Sequence, residues 1–213
     1  SIQFQLSFIE PQAHYVEVRM ILDGFDQDYL DLKMPVWTPG SYLIREFAKN
    51  VEQMKMEGAN GNQIEFEKIN KNTWRVHSKG SQVKVSYRVY SFERSVRTNF
   101  VDDQHAFISP AGTFLFVDGY LDHSSTVQVE LPSYWTKIST GLELVEGKLN
   151  LFFAENFDIL FDSPLEIGNQ DSWTFNAAGI PHEFAMVGTA NYDKDRLSAD
   201  IKKIVEVETA IWG

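Results

Sequence analysis

The chain has 213 residues, with 19 Lys and Arg against 30 Asp and Glu, and its formal net charge of −11 excludes a basic nucleic-acid surface. Hydrophobic residues make up 43%, and Gly and Pro number 13 and 7, which fits a chain that buries a core and excludes disordered or collagen-like classes. Cysteine is absent, removing disulfides, thiolate nucleophiles and zinc sites built on sulfur, and no apolar run is long enough to span a membrane.

Taken in chain order, residues 1–9 alternate polar and apolar, and residues 13–22 do so more clearly, with Val16, Val18, Met20 and Leu22 set against Glu17 and Arg19. Period two gives a strand one wet and one dry face. Residues 41–51 depart from it: Tyr42, Phe47 and Val51 line one side of a helical turn or two, after the turn signal Thr38-Pro39-Gly40 that Trp37 braces. Alternation returns at Ile64 and Phe66, at Val83, Val85, Tyr87 and Val89, and at Val127, Val129 and Leu131, with Trp74 and Phe66 read as core. Asn60-Gly61 and Glu146-Gly147 are hairpin-turn dipeptides between such runs.

These features predict a mainly β fold: an antiparallel β-sandwich or saddle-like sheet domain over residues 1–160. Phe161-Asp162-Ser163-Pro164 marks a boundary, since proline biases the residue before it toward extended backbone. Residues 161–213 then form a short α+β segment, two strands at 173–178 and 181–188 and one long helix at 193–212. Leu197, Ile201, Ile204, Val205 and Ile211 make the helix stripe, and Asp193 and Asp195 supply capping oxygens. About fifty residues make a marginal domain, so this segment is expected to want more chain beyond it. A first residue of Ser and a last of Gly213 directly after Ile211-Trp212 read as a chain cut at both ends.

Little local chemistry is evident. No two of His14, His77, His105, His123 and His182 lie three or four residues apart, so no helical metal pair exists. Pro181-His182-Glu183-Phe184-Ala185-Met186 begins like H-E-x-x-H but has Met where the second His belongs, and it reads as a strand. The acidic cluster Asp23, Asp26, Asp28 and Asp31 lacks a calcium-loop pattern and reads as a solvated turn. Asp102-Asp103, next to Ser95-Val96-Arg97-Thr98-Asn99, is a loop mixture suited either to binding or to holding its own backbone. No G-x-S-x-G string or phosphate-cradling glycine loop is present.

Several strings are more particular: residues 34–51 (MPVWTPGSYLIREFAKNV), residues 90–103 around Ser-Val-Arg-Thr, residues 162–168 (DSPLEIG), residues 179–184 (GIPHEF) and the helix of residues 197–213. In this order they resemble the amino-terminal part of the glycyl aminopeptidase family of bacterial zinc metallopeptidases. The resemblance implies a β-rich amino-terminal domain, a thermolysin-like catalytic domain bearing H-E-x-x-H and a more distant Glu ligand, and a PDZ domain. On that reading residues 1–160 are the amino-terminal domain and residues 161–213 begin the catalytic domain. This chain contains no H-E-x-x-H, so no catalytic or metal-binding residue carries over and zinc is expected only in the full-length parent. The expected partners are the remaining catalytic and PDZ domains of the same polypeptide and the parent's peptide substrate, in bacterial cytoplasm or periplasm.

The resemblance also implies a β domain that packs over a catalytic cleft. Tyr42, Arg45, Arg97, Asp102 and Asp103 are then candidates to line it, Arg offering a forked contact to a carboxylate and Asp one to an amine. The competing expectation is that Arg45 and Arg97 pair with Glu46 or Asp102 and only hold loops. A free-standing β-sandwich module for carbohydrate or protein ligands is the rival function. The Ile201, Ile204 and Val205 face, left without its partner, predicts self-association of the fragment.

Overall fold

A computed structural model describes residues 1–41 and 43–212. In chain order its strands begin with β1 (Ile2–Ser7), β2 (Tyr15–Leu22), β3 (Leu30–Lys33), β4 (Val51–Gly58), β5 (Phe66–Asn70) and β6 (Thr73–Val76). They continue through β7 (Val83–Tyr90), β8 (Phe100–Val101), β9 (Ala106–Ile108), β10 (Phe116–Val117), β11 (Ser125–Glu130) and β12 (Lys137–Thr140). After these come β13 (Glu143–Leu144), β14 (Leu151–Ala154), helix α1 (Phe157–Phe161), β15 (Leu165–Gly168), β16 (Asp171–Ala177), β17 (Ile180–Met186) and helix α2 (Lys194–Trp212).

The fold is mainly β. A seven-stranded sheet has the order β13-β14-β11-β1-β2-β7-β4, and two four-stranded sheets have the orders β10-β3-β6-β5 and β12-β15-β9-β8. Alternation fixes the face each strand buries: Phe4 and Leu6, Val16, Val18 and Met20, and Val83, Val85 and Val89 are at most 3% exposed. They share one core with Leu32 and Val76 of the second sheet and Ile108 and Ile167 of the third. Each such side chain contributes roughly 1.5–3 kcal/mol by leaving water. Gly61 and Gly147 take φ of +75° and +72° at the two expected hairpin turns, conformations that a side chain disfavours.

One seam departs from the antiparallel expectation. β1 runs parallel to β11, with Ile2, Phe4 and Leu6 opposite Ser125, Val127 and Val129. Alternation reports which face is buried and carries no sign of strand direction. Phe66, expected in the core, is 36% exposed because β5 is an edge strand whose five residues all face solvent, whereas Trp74 is 4% exposed. The helical turns expected over residues 41–51 contract to a 3-10 turn at Phe47–Asn50 that buries Phe47 and Ala48.

Two compact units divide the chain after Gly168. The turn at residues 161–164 ends α1, whose Leu160 is fully buried, and β15 then returns into the third sheet between β12 and β9. Gly168 closes that strand tightly: a Cβ there would lie 2.9 Å from His105 Cβ and 3.2 Å from the Gln104 carbonyl oxygen.

The second unit, Asn169–Gly213, is a β16–β17 hairpin with α2 packed on β16. Trp173 is its centre, stacked on Phe184 at 4.6 Å and Tyr192 at 5.7 Å and donating its Nε1–H to Ser198 Oγ at 2.8 Å. Asp193 Oδ1 accepts the Arg196 N–H as the expected cap. The expected apolar stripe splits: Leu197, Ile201 and Val205 are half-buried, while Ile204 and Ile211 are about two-thirds exposed at 61% and 62%.

Asp31 stands apart from its acidic neighbours. Asp23, Asp26 and Asp28 are exposed, but Asp31 on β3 faces Arg75 on β6 and accepts its Nε–H and Nη2–H at 2.7 and 2.8 Å. The guanidinium holds the Asp31 carboxyl below the usual carboxylate range. A depressed folded-state pKa contributes stability that is present above the unfolded-state value and is lost as pH falls through the folded one. Asp31→Asn should therefore lower Tm at pH 7, and the gap to the unsubstituted chain should close as melts are taken toward pH 2. A gap independent of pH would show that the ion pair is not its source.

Candidate functional site

The candidate residues come from two loops of the first unit. Met34, fully buried, anchors the first loop through a backbone pair with Asn72, whose Nδ2 also donates to the Met34 carbonyl at 2.7 Å. Thr38-Pro39-Gly40-Ser41 then turns back, with Ser41 N–H donating to Thr38 O at 3.0 Å and Gly40 at φ +76°. Beyond the turn Leu43 and Ile44 are 65% and 77% exposed, and Arg45 N–H returns to the Val36 carbonyl at 2.6 Å. Tyr42 lies outside the described residues.

The second loop leaves β7 of the seven-stranded sheet at Ser91 and enters the third sheet at β8, where the Val101 N–H donates to the Ser91 carbonyl at 2.6 Å. Glu93 N–H donates to Asn99 O and Thr98 Oγ1–H to Glu93 O, so residues 94–97 form a solvent-facing tip where Val96 is 82% exposed. Asn99, 5% exposed, pins the base: its Nδ2–H donates to Thr113 Oγ1 at 2.8 Å and its Oδ1 accepts the Ser109 N–H at 2.8 Å. Thr113 Oγ1–H passes on to Ser109 O, and the buried Tyr87 hydroxyl donates to Thr113 O at 2.8 Å. Burial pushes the Tyr87 hydroxyl far above its ordinary pKa, so it stays a donor at every physiological pH.

Rings brace the same loop from beneath. His14 stacks on Phe92 at 3.7 Å, Phe92 on Phe100 at 5.4 Å, and Phe100 leans on His105 at 5.2 Å, with the Arg94 guanidinium 4.6 Å over Phe100. The ends of this stack are tied by hydrogen bonds: His14 Nδ1 lies 2.7 Å from the Val101 carbonyl and His105 Nδ1 lies 2.9 Å from Glu166 Oε1. Neither His14 nor His105 stood out in the sequence, because the rings they meet are distant along the chain.

Among the described residues the pairings expected of the two arginines do not form. The Arg45 guanidinium donates to the buried Ser41 hydroxyl at 3.1 and 3.4 Å, while Glu46 pairs with Lys71 at 2.8 Å, which holds the Glu46 carboxyl below its usual range. Asp102 Oδ1 accepts the N–H groups of Gln104 and His105 at 2.8 and 3.0 Å, a turn closed on its own loop. The Arg97 backbone N–H donates to Ser95 Oγ, and the side chains of Arg97 and Asp103 are exposed.

Two depressions flank the Phe47–Asn50 turn. One of about 670 Å³ is lined by Val36, Ile44, Arg45, Lys49, Lys68 and Lys71 among others. The other, about 260 Å³, is bordered by Phe47, Lys49, Phe92, Glu93, Thr98 and Asn99. Lys49 belongs to both, so the structure brings Arg45 and the second loop to opposite sides of one turn. Arg97, Asp102 and Asp103 line neither depression.

The donor set does not fit a zinc ion. Among the described residues no three His, Asp or Glu side chains are grouped to hold a metal, and His182 in β17 stacks on Phe175 and places Nδ1 2.9 Å from the Ile180 carbonyl.

The topology, a seven-stranded sheet with two four-stranded sheets around one core, defines a β-rich domain class. Residues 3–169 match the Peptidase M61 N-terminal domain, and the chain belongs to that family. It superposes with TM-score 0.91 and 30% identity on an aminopeptidase N family protein from Idiomarina loihiensis, covering 99% of this chain and 36% of that one. An M1 zinc metallopeptidase mutant from Deinococcus radiodurans bound to a Tyr-Ser-Ala substrate shares the fold, with TM-score 0.54 and 11% identity over 97% of this chain and 51% of that one. No curated protein matches the sequence. This chain thus spans about a third of the Idiomarina protein.

Asn99→Ala should destabilise the first unit by about 2–3 kcal/mol, since it leaves the buried Ser109 N–H without its acceptor. Asp103→Ala should stay within about 0.5 kcal/mol, as surface substitutions do. Urea unfolding of the two variants measures both, and equal effects would show that Asn99 is not the loop's anchor.

Proposed function

We propose that this chain is the amino-terminal β scaffold of a zinc-dependent aminopeptidase, packing against a catalytic domain and helping to shape the substrate cleft. The family match over residues 3–169 carries the reading. On this proposal the amino-terminal domain, expected over residues 1–160, runs on through β15 to Gly168, where the first compact unit ends, the segment after it begins the catalytic domain, a PDZ domain belongs to the parent, and peptide is its substrate. Two further observations support it. Trp37, Leu43 and Val96, at 48–82% exposure, stand on the loops that carry the candidate residues, apolar surface of the kind that a neighbouring domain covers. Arg97 and Asp103 present exposed charges that no loop-holding role uses up.

Arg45, Arg97, Asp102 and Asp103 then bias which peptide ends enter the cleft, with Tyr42 as a fifth candidate. Arg97 and Asp103 are the more informative of these, because Asp102 closes a turn and Arg45 leans on Ser41. In the full-length enzyme, Arg97→Ala and Asp103→Ala should change the ranking of kcat/KM among charged and neutral dipeptides by roughly tenfold, the loss of one charge-assisted contact. An unchanged ranking with only Tm lowered would retire the cleft role. Metal analysis should find zinc in the full-length protein and none retained by these 213 residues alone. Stoichiometric zinc on this chain would overturn the assignment of the metal to the catalytic domain.

A further inference from the structure

The larger depression beside the Phe47–Asn50 turn reverses the charge of the molecule around it. The chain as a whole carries −11, yet this hollow gathers Arg45, Lys49, Lys68 and Lys71 against Glu46 alone. Glu46 is already satisfied by Lys71 at 2.8 Å, and Arg45 is turned onto Ser41. Among the described residues neither Lys49 nor Lys68 makes a close ion pair, although Lys49 is near enough to Glu46 to help hold its carboxyl below the usual range, and Lys68 is held 4.7 Å over the Trp74 ring. The rest of the lining is Val36, Ile44 and Ala48, which are apolar, together with the amides Asn70 and Asn72. The volume, about 670 Å³, suits a small ligand or the last few residues of a chain.

Cations next to an apolar lining select a ligand that brings both a negative charge and a hydrocarbon group. An inorganic anion gains nothing from Val36, Ile44 and Ala48, and an apolar side chain alone gains nothing from Lys49 and Lys68. Two separate ammonium groups are point charges that can approach a carboxylate from different sides. The net negative charge of the protein opposes long-range attraction of anions, so binding must come from contacts within about one Debye length, roughly 10 Å at 0.1 M salt. We propose that this depression binds the carboxyl-terminal end of a peptide, the α-carboxylate meeting Lys49 and Lys68 and the apolar last side chain resting on Val36, Ile44 and Ala48. The site is complete within the first unit and does not depend on the peptidase assignment.

The test is fluorescence anisotropy on the 213-residue chain, using a hexapeptide ending in Leu that carries its dye on the amino terminus, as the free acid and as the carboxamide. The free acid should bind saturably and more weakly as salt is raised, with the amide at least tenfold weaker. Combined Lys49→Gln and Lys68→Gln should weaken the acid at least tenfold and bring acid and amide together, and Ile44→Ser should weaken both. Lys33→Gln, which removes an ammonium paired with Asp118 elsewhere, should leave binding unchanged, and circular dichroism should show every variant folded. Equal binding of acid and amide, no saturable binding, or wild-type affinity in the double lysine variant would overturn the proposal. Dimerisation that competes with the peptide would also overturn it, assigning the hollow to a second copy of the chain.

Discussion

The parallel seam between β1 and β11 holds the first unit together. Residues at the very start of the chain lie in register with residues more than a hundred positions later, and their inward side chains Phe4 and Leu6 share the core with Val127 and Val129. Closing so long a loop costs conformational entropy that only the completed core repays. Both flanks of the seven-stranded sheet meet at this junction: β2, β7 and β4 extend to one side, and β14 and β13 to the other. The third sheet adds its inner face to the same core through Ile108 and Ile167. The seam therefore fixes the frame from which both candidate loops emerge.

How much of this was legible in the sequence follows from what a short-range pattern can encode. Val16, Val18, Met20 and Leu22 announced a strand with one buried face because alternation is set by neighbours two residues apart. The Gly61 and Gly147 turns were legible for a similar reason, since the demand for positive φ is local. The direction of β11 against β1, and the position of β5 at an open edge that leaves Phe66 half-exposed, depend on sheet order, which no local window contains. The turn at residues 161–164 was legible from its proline, but the return of Leu165 and Ile167 into the third sheet depends on a pairing with Ala106 and Ile108 that lies far back in the chain.

The candidate site divides along the same line. The loops were visible in the sequence as polar and charged punctuation, and Arg45, Arg97, Asp102 and Asp103 do stand on loops of the first unit. Their partners were not. Arg45 rests on a hydroxyl four residues back instead of the adjacent Glu46, because the chain reverses at Pro39-Gly40 and Lys71 approaches Glu46 from another strand pair. The anchoring role of Asn99 arises from a carbonyl, an amide and a hydroxyl at Ser109 and Thr113, groups that gain meaning only when the fold buries them together.

The column His14, Phe92, Phe100 and His105 is held mainly by planar faces meeting one another, with hydrogen bonds at its two termini. Flatness, more than chemical identity, is what the two middle positions require, so Tyr or Trp can stand for Phe there with little disturbance while an aliphatic of equal hydrophobicity cannot. Homologous chains should therefore preserve aromaticity at those places while exchanging one letter for another. A comparison that scores letters alone would rate this brace as variable, although its architecture is maintained.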